Sequence, residues 1–242
     1  FVSPKAIPQM ADTHELIRGI REWDKKSKLL AIIANLRGAK EAIGYELIDC
    51  LGFPFSVSET FQIRNTNSTI SQSIDRVHEI ADLCHQYNKS FVVYLSMAFG
   101  NPYGDPWNSD IIAKYIDMLR PFGCQIFALS DTIGIASPDS IYYLFESLIP
   151  AFPDLELGAH LHTTPQTWEA KIHAATLSGC RRFDGAIRGY GGCPMAKDEL
   201  TGNMPMECII DYFTTGGYDT NINKDLFANA ILESDSVFKT HV

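Results

Sequence analysis

The 242 residues contain no CxxC pair, no run of more than two basic residues and no apolar stretch of membrane length. The six cysteines, Cys50, Cys84, Cys124, Cys180, Cys193 and Cys208, are scattered singly. Most lie in apolar segments, where a free thiol behaves as a small hydrophobe, so the usage points to a reducing compartment. The glycosylation sequon Asn67-Ser68-Thr69 is then as readily a chance match as a real one. Twenty Lys and Arg against 29 Asp and Glu leave a formal charge of −9, which argues against a nucleic-acid partner, since that needs a basic face. An acidic substrate has to be met locally, by a metal or by single basic groups. A membrane helix needs about 20 consecutive apolar residues, and no segment approaches that. The chain opens on Phe1, in "FVSPKAIPQM", without an initial Met or a charged leader, so targeting is not legible there. What is present, 45% hydrophobic and 20% charged residues, suits a soluble globular protein with a full core, in one barrel-sized domain or two small ones.

Along the chain the hydrophobic period switches repeatedly between two and 3.6. Strand candidates are "LLAIIAN" (29–35), "ELIDCLGF" (46–53), "FVVYLSMAF" (91–99), "QIFALSDT" (125–132), "LELGAHLH" (155–162) and "RFDGAIRGY" (182–190). Between them, Thr69 N-caps a helix whose buried face is Ile70, Ile74, Val77, Ala81 and Cys84. Further helices start near Asn108, Ser137, Thr164 and Pro205, and a last one covers 223–239; Ser137-Pro138 is a cap and first-turn signal. Near-continuous apolar strands alternating with helices mean a covered parallel sheet, either doubly wound or a (β/α)8 barrel. The barrel is favoured because no glycine fingerprint follows the first strand. In addition, polar residues recur at strand C-termini: Asn35, Asn101, Asp131, His160 and His162. The expectation is an α/β TIM barrel, one domain over 1–242, in which six strands imply that about one to two βα units precede residue 1.

Chemistry concentrates in three places. In "GAHLHTTP" (158–165) His160 and His162 are two apart, and strand alternation turns both imidazoles toward one point, a geometry suited to a divalent metal. No third histidine or acidic residue sits nearby, and the same pair also reads as ordinary strand residues, one in the core and one at the surface. Cys193 stands in "YGGCPMAKDELTGN", a Gly- and Pro-containing loop (189–203) expected over the barrel mouth. A neighbouring cation can bring a thiol there toward neutrality, where it passes protons in either direction; the plain alternative is a loop cysteine without a role. Asp131, followed by Thr132, ends the strand "FALSD" and places a carboxylate at the functional face, or else caps the next helix. Tyr94 and Ser96 alternate with apolar neighbours and fit a barrel interior or a substrate-facing pair.

"FVSPKAIPQM", "SDTIG" (130–134), "HLH", "GYGGCPMAK" (189–197) and "GN" (202–203) occur in an order that resembles the 3-hydroxy-3-methylglutaryl-CoA lyases, a family of metal-dependent TIM-barrel lyases. The resemblance runs from residue 1 to about 215, and "GGCP" about thirty residues beyond "HxH" is its specific element. It implies a barrel whose first strand carries an Arg-Asp pair, expected upstream of Phe1. It also implies a metal held by that aspartate together with His160, His162 and Asn203. Such a donor set suits Mg²⁺ or Mn²⁺, and histidine also admits Zn²⁺ or Co²⁺. Asp131 is carried over as an acid/base or orienting group, Cys193 and His160 as the groups that deliver a proton, and Asn65 as a neighbour of the substrate carboxylate. Thr163 departs from the family, where an aspartate is usual.

The reaction implied is cleavage of a 3-hydroxy-3-methylglutaryl thioester to acetyl-CoA and acetoacetate. Tyr94, Ser96, Thr132 and Asn65 would face the acyl-CoA substrate. The alternatives are a condensing synthase of the same superfamily, joining an acyl-CoA to a 2-oxo acid, and an inactive metal-binding relative. The resemblance further implies a homodimer or higher oligomer, in the cytoplasm or, in a eukaryote, the mitochondrial matrix.

Overall fold

A computed structural model describes residues 1–5, 7–20, 26–192 and 201–238. Helix α1 (Thr13–Gly19) precedes β1 (Leu30–Ile32), α2 (Leu36–Ile43) and β2 (Cys50–Ser56). Two helices follow, α3 (Glu59–Thr66) and α4 (Ile70–Gln86), then β3 (Ser90–Ser96), α5 (Ser109–Leu119), β4 (Ile126–Ser130) and α6 (Pro138–Ala151). The last third holds β5 (Glu156–His160), β6 (His162–Thr163), α7 (Trp168–Leu177), β7 (Arg182–Asp184), β8 (Gly202–Asn203), α8 (Met206–Thr215) and α9 (Lys224–Phe238).

Six parallel strands pair in the order β1-β2-β3-β4-β5-β7, and β6 pairs antiparallel with β8. The order never reverses, so every crossover runs the same way; a doubly wound sheet would reverse at a switch point. Successive helices pack on one another around the outside. This is the wall of a (β/α)8 barrel, and among the described residues β1 and β7 do not pair with each other.

Period-two alternation fixes which face is which. Leu51, Phe53, Phe55, Val93, Leu95, Phe127 and Leu129 are fully buried and join one core with Val77, Ile80, Ile112, Ile116 and Leu144 of the helices. Each such side chain contributes about 1.5–3 kcal/mol by burial. The intervening positions, Pro54, Tyr94, Ser96, Ser130 and His160, face the barrel interior. Interior glycines make room there: a Cβ on Gly158 would come within 2.6 Å of the Arg182 side chain.

Caps at Thr69, Asn108 and Ser137 stand where their sequence signals put them, each side chain accepting from the N3 amide. Several boundaries differ; the strand expected at 182–190, for one, ends at Asp184. The strand expected at 46–53 begins at Cys50 and continues through Pro54 to Ser56. Proline is tolerated there because Cys50, Gly52 and Pro54 turn their polar backbone toward β1, and that strand's pairing ends when Ile33 N donates to Gly52 O. Asn35 is the N-cap of α2, not a strand-end site residue, and Asn101 spends its amide on the Tyr103–Asp105 turn. The helix expected near Thr164 begins at Trp168, after a turn closed by Thr164 and Thr167. No helix among the described residues is long and apolar enough to cross a membrane.

Candidate functional site

The strand C-termini surround a cavity of about 580 Å³. Its wall takes Asn65 from α3, Tyr94 and Ser96 from β3, Thr132 beyond β4, and His160 from β5. His162 and Asn203 come from the β6–β8 pair, Arg182 and Asp184 from β7. Seven residues singled out from sequence therefore meet at one mouth: Asn65, Tyr94, Ser96, Thr132, His160, His162 and Asn203. Cys193 lies outside the described residues.

The two histidines reach this mouth by a different route from simple alternation. The strand expected at 155–162 breaks at Leu161, so His160 ends β5 and His162 begins β6. Asp131 N donates to His160 O on one side and Met204 N to Leu161 O on the other, which pulls the chain out of the parallel sheet. The imidazoles still lie close, with ring centroids 5.6 Å apart, and the new pairing sets His162 directly opposite Asn203.

Hydrogen bonding decides which atoms remain for a ligand. His162 Nδ1 lies 3.1 Å from Thr201 O, an acceptor only, so Nδ1 carries the proton and Nε2 keeps its lone pair. Burial first, and then His160, holds its pKa below the ordinary imidazole value, against the opposing pull of Asp131. The neutral form is the one that binds metal. Asn203 Nδ2 donates to Tyr190 O at 2.9 Å, leaving Oδ1 without a hydrogen bond among the described residues. His160 Nδ1 is buried and faces Asp184 Oδ2 at 3.4 Å, outside hydrogen-bond geometry. Two imidazoles and one amide oxygen fit a divalent cation with open positions for oxygen ligands. Among the described residues no group of three His, Cys, Asp or Glu gathers to complete it.

Asp131 stands behind this wall. It is 1% exposed; Oδ1 accepts from Ala136 N and Oδ2 from Lys171 Nζ at 2.7 Å. The Lys171 ammonium also donates to His162 O at 2.7 Å and Gly134 O at 3.0 Å, which commits all three protons. Each carboxylate oxygen therefore accepts one hydrogen bond from within the wall. Asp131 is not the cap of the next helix, which is Ser137. Thr132 lines the cavity, but its oxygen accepts from Met97 N and so supports that residue's left-handed backbone at φ 61°. Thr163 is buried with an unpartnered hydroxyl. Burial pushes the Cys84, Cys124 and Cys180 thiols up to about 12, and raises that of Cys208, which keeps these four neutral and inert.

Three wall or support residues were not singled out from sequence. Arg182 and Asp184 have the same i, i+2 spacing within a strand candidate as the two histidines. Lys171 falls on the buried face of α7 with Ile172 and Ala175, so a charged residue at a core position was the available signal.

A model of the HMGL-like family matches residues 5–231. The chain is 31% identical over 228 residues to the 3-hydroxy-3-isohexenylglutaryl-CoA/hydroxy-methylglutaryl-CoA lyase of Pseudomonas aeruginosa, covering 94% of this chain and 74% of that protein. It is 31% identical to the cytoplasmic 3-hydroxy-3-methylglutaryl-CoA lyase of Mus musculus, over 94% of this chain and 65% of the mouse protein. The crystal structure of the HMG-CoA lyase from Brucella melitensis superposes with a TM-score of 0.89 at 28% identity, covering 99% of this chain and 83% of that one.

Proposed function

The chain belongs to the HMGL-like family, and we propose on that premise that it is a carbon–carbon lyase cleaving a 3-hydroxy-3-methylglutaryl-CoA-type thioester to acetyl-CoA and acetoacetate. The carrying observation is the meeting of His160, His162 and Asn203 at one cavity mouth, with His162 and Asn203 in direct register. The family depends on a divalent metal; His160 Nε2, His162 Nε2 and Asn203 Oδ1 would hold it. When bound, the cation supplies a Lewis acid and a template for the substrate's oxygens.

This chain's own groups then have to take the proton from the tertiary hydroxyl, cleave the bond between C2 and C3, and return a proton to the acetyl-CoA enolate. With Nδ1 turned to Asp184, His160 has one nitrogen left for the cavity, and that nitrogen cannot both hold a cation and carry a proton. We therefore assign the proton to Cys193 and the cation to His160. Asn65 and Tyr94 orient the acyl half, and Asp131 fixes the histidine strand through Lys171. Mg²⁺ or Mn²⁺ best suits the donors.

The test is to incubate the Mn²⁺-loaded protein with 3-hydroxy-3-methylglutaryl-CoA and to quantify acetyl-CoA and acetoacetate. Stoichiometric appearance of both supports the reading. No product, with thiol release from an acyl-CoA and a 2-oxo acid, overturns it in favour of a condensing enzyme. In the active protein Cys193→Ser lowers turnover by about 10²–10⁴, the worth of a positioned acid or base, while metal stays bound.

A further inference from the structure

Asp184 is paired with His160 in the strongest sense a parallel sheet allows: the two are register partners on neighbouring strands, both turned into the barrel. Their facing atoms, Asp184 Oδ2 and His160 Nδ1, are both buried, 3.4 Å apart, and among the described residues neither has another hydrogen-bond partner. An unsatisfied carboxylate oxygen opposite an unsatisfied ring nitrogen is costly unless the nitrogen carries a proton aimed at the oxygen.

The rest of the surroundings keep the carboxylate in place. Its other oxygen, Oδ1, lies 3.9 Å from Arg182 Nη2. Arg182 is anchored in turn by Glu156, 2.8 Å from Nη1, and lies across the bare backbone of Gly158. Tyr94 packs edge-on against the His160 ring at 5.5 Å. Burial first, and then Asp184, holds the Tyr94 phenol in its neutral, proton-bearing form. Asp184 is thus shared among Arg182, the Tyr94 phenol and His160.

We propose that Asp184 is a positioning residue that fixes His160 as the Nδ1–H tautomer and so presents Nε2 to the cavity. The inference deepens the metal-dependent lyase reading and rests on it for its purpose, although the tautomer itself exists in the metal-free protein. Carboxylate partners of this kind are worth about 10–100-fold in metal affinity. The placement acts through His160; Asp184 touches no reacting atom.

The tautomer is read by ¹⁵N NMR of metal-free, histidine-labelled protein above the histidine titration range, with His160→Gln identifying the signal among seven histidines. The expected result is a proton-bearing Nδ1 and a bare Nε2 at His160; a bare Nδ1 in the unmodified protein overturns the proposal without any Asp184 variant. In Asp184→Leu both His160 tautomers appear and Mn²⁺ affinity falls about 10–100-fold. Asp184→Asn, which still offers an acceptor oxygen, keeps the tautomer and recovers most of the affinity. His162 is the internal control, since Thr201 sets its tautomer and no Asp184 variant should move it. An Asp184→Leu protein with wild-type tautomer and Mn²⁺ affinity refutes the role. Because neither readout uses turnover, a protein that passes both and cleaves no thioester refutes the lyase reading alone.

Discussion

Two carboxylates flank the histidine pair, and they differ in how their oxygens are spent. Asp131, beyond β4, is sealed behind the cavity wall with one oxygen on a backbone amide and the other on the Lys171 ammonium. Asp184, at the end of β7, is on the wall itself with both partners beyond 3.3 Å and one oxygen unsatisfied. The first arrangement builds the frame: through Lys171 and through its own N–H, Asp131 grips the carbonyls of His162 and His160. The second leaves a group poised against a functional side chain. On the reading proposed above, the unsatisfied carboxylate serves the site and the satisfied one supports it.

The largest expected effect comes from breaking the sealed pair on one side. Lys171→Met leaves Asp131 as a buried, unpaired carboxylate and strips a donor from His162 O, so stability falls by about 3–5 kcal/mol in urea denaturation. A loss below about 1 kcal/mol would mean that water reaches Asp131, and the contrast with Asp184 would dissolve.

Removing both charges sharpens the same point. Asp131→Asn keeps the acceptor for Ala136 N, and combined with Lys171→Met it removes the stranded charge. The double variant should be less destabilised than Lys171→Met alone, and the cycle should give a coupling of about 0.5–3 kcal/mol. Strict additivity would show that the two residues do not act as a pair.

These contacts also mark where sequence reasoning stops. The caps at Thr69, Asn108 and Ser137 were legible because a cap is local, a side chain bonding an amide three residues on. The barrel class was legible from repeated apolar strands without a glycine fingerprint. Helix α3, ETFQIRNT, was not, because polar residues occupy most of its faces. α2 was missed because its cap, Asn35, resembled a strand-end site residue. The break between His160 and His162 depends on Met204 N reaching Leu161 O, a contact 43 positions along the chain that no local period reveals. Lys171 shows its meaning only once Asp131, forty positions away, is brought to it.

On the other side of the comparison, Asp184→Asn should barely touch stability. Its ionic neighbours are 3.4 and 3.9 Å away and it is 22% exposed, so the change should stay below about 1 kcal/mol. Loss of several kcal/mol would class Asp184 with Asp131 as frame.

The smallest effect tests a third carboxylate, in the loop between β3 and α5. Asp105 Oδ2 accepts from the Ser58 hydroxyl and from Thr60 N, and Oδ1 accepts from the Thr60 hydroxyl. It thereby ties its loop to the first turn of α3, the helix that carries Asn65 to the cavity, and supplies an anion where the helix dipole favours one. The Ser58 hydrogen bond first, and then the Thr60 bonds, outweigh burial and hold its carboxyl below the ordinary range. A pKa lowered by folding means that the unfolded chain binds the proton more readily. The stabilisation is therefore complete above the ordinary carboxylate value of about 4 and is lost as pH falls through the lower, folded value. Asp105→Asn should lower stability at neutral pH by less than about 1 kcal/mol, because the group is largely solvent-screened, and should flatten the acid limb of the stability curve relative to wild type. Parallel curves for the two proteins down to pH 3, measured by urea denaturation, would mean that Asp105 does not titrate with folding and that the other hydrogen bonds and packing of α3 hold it in place.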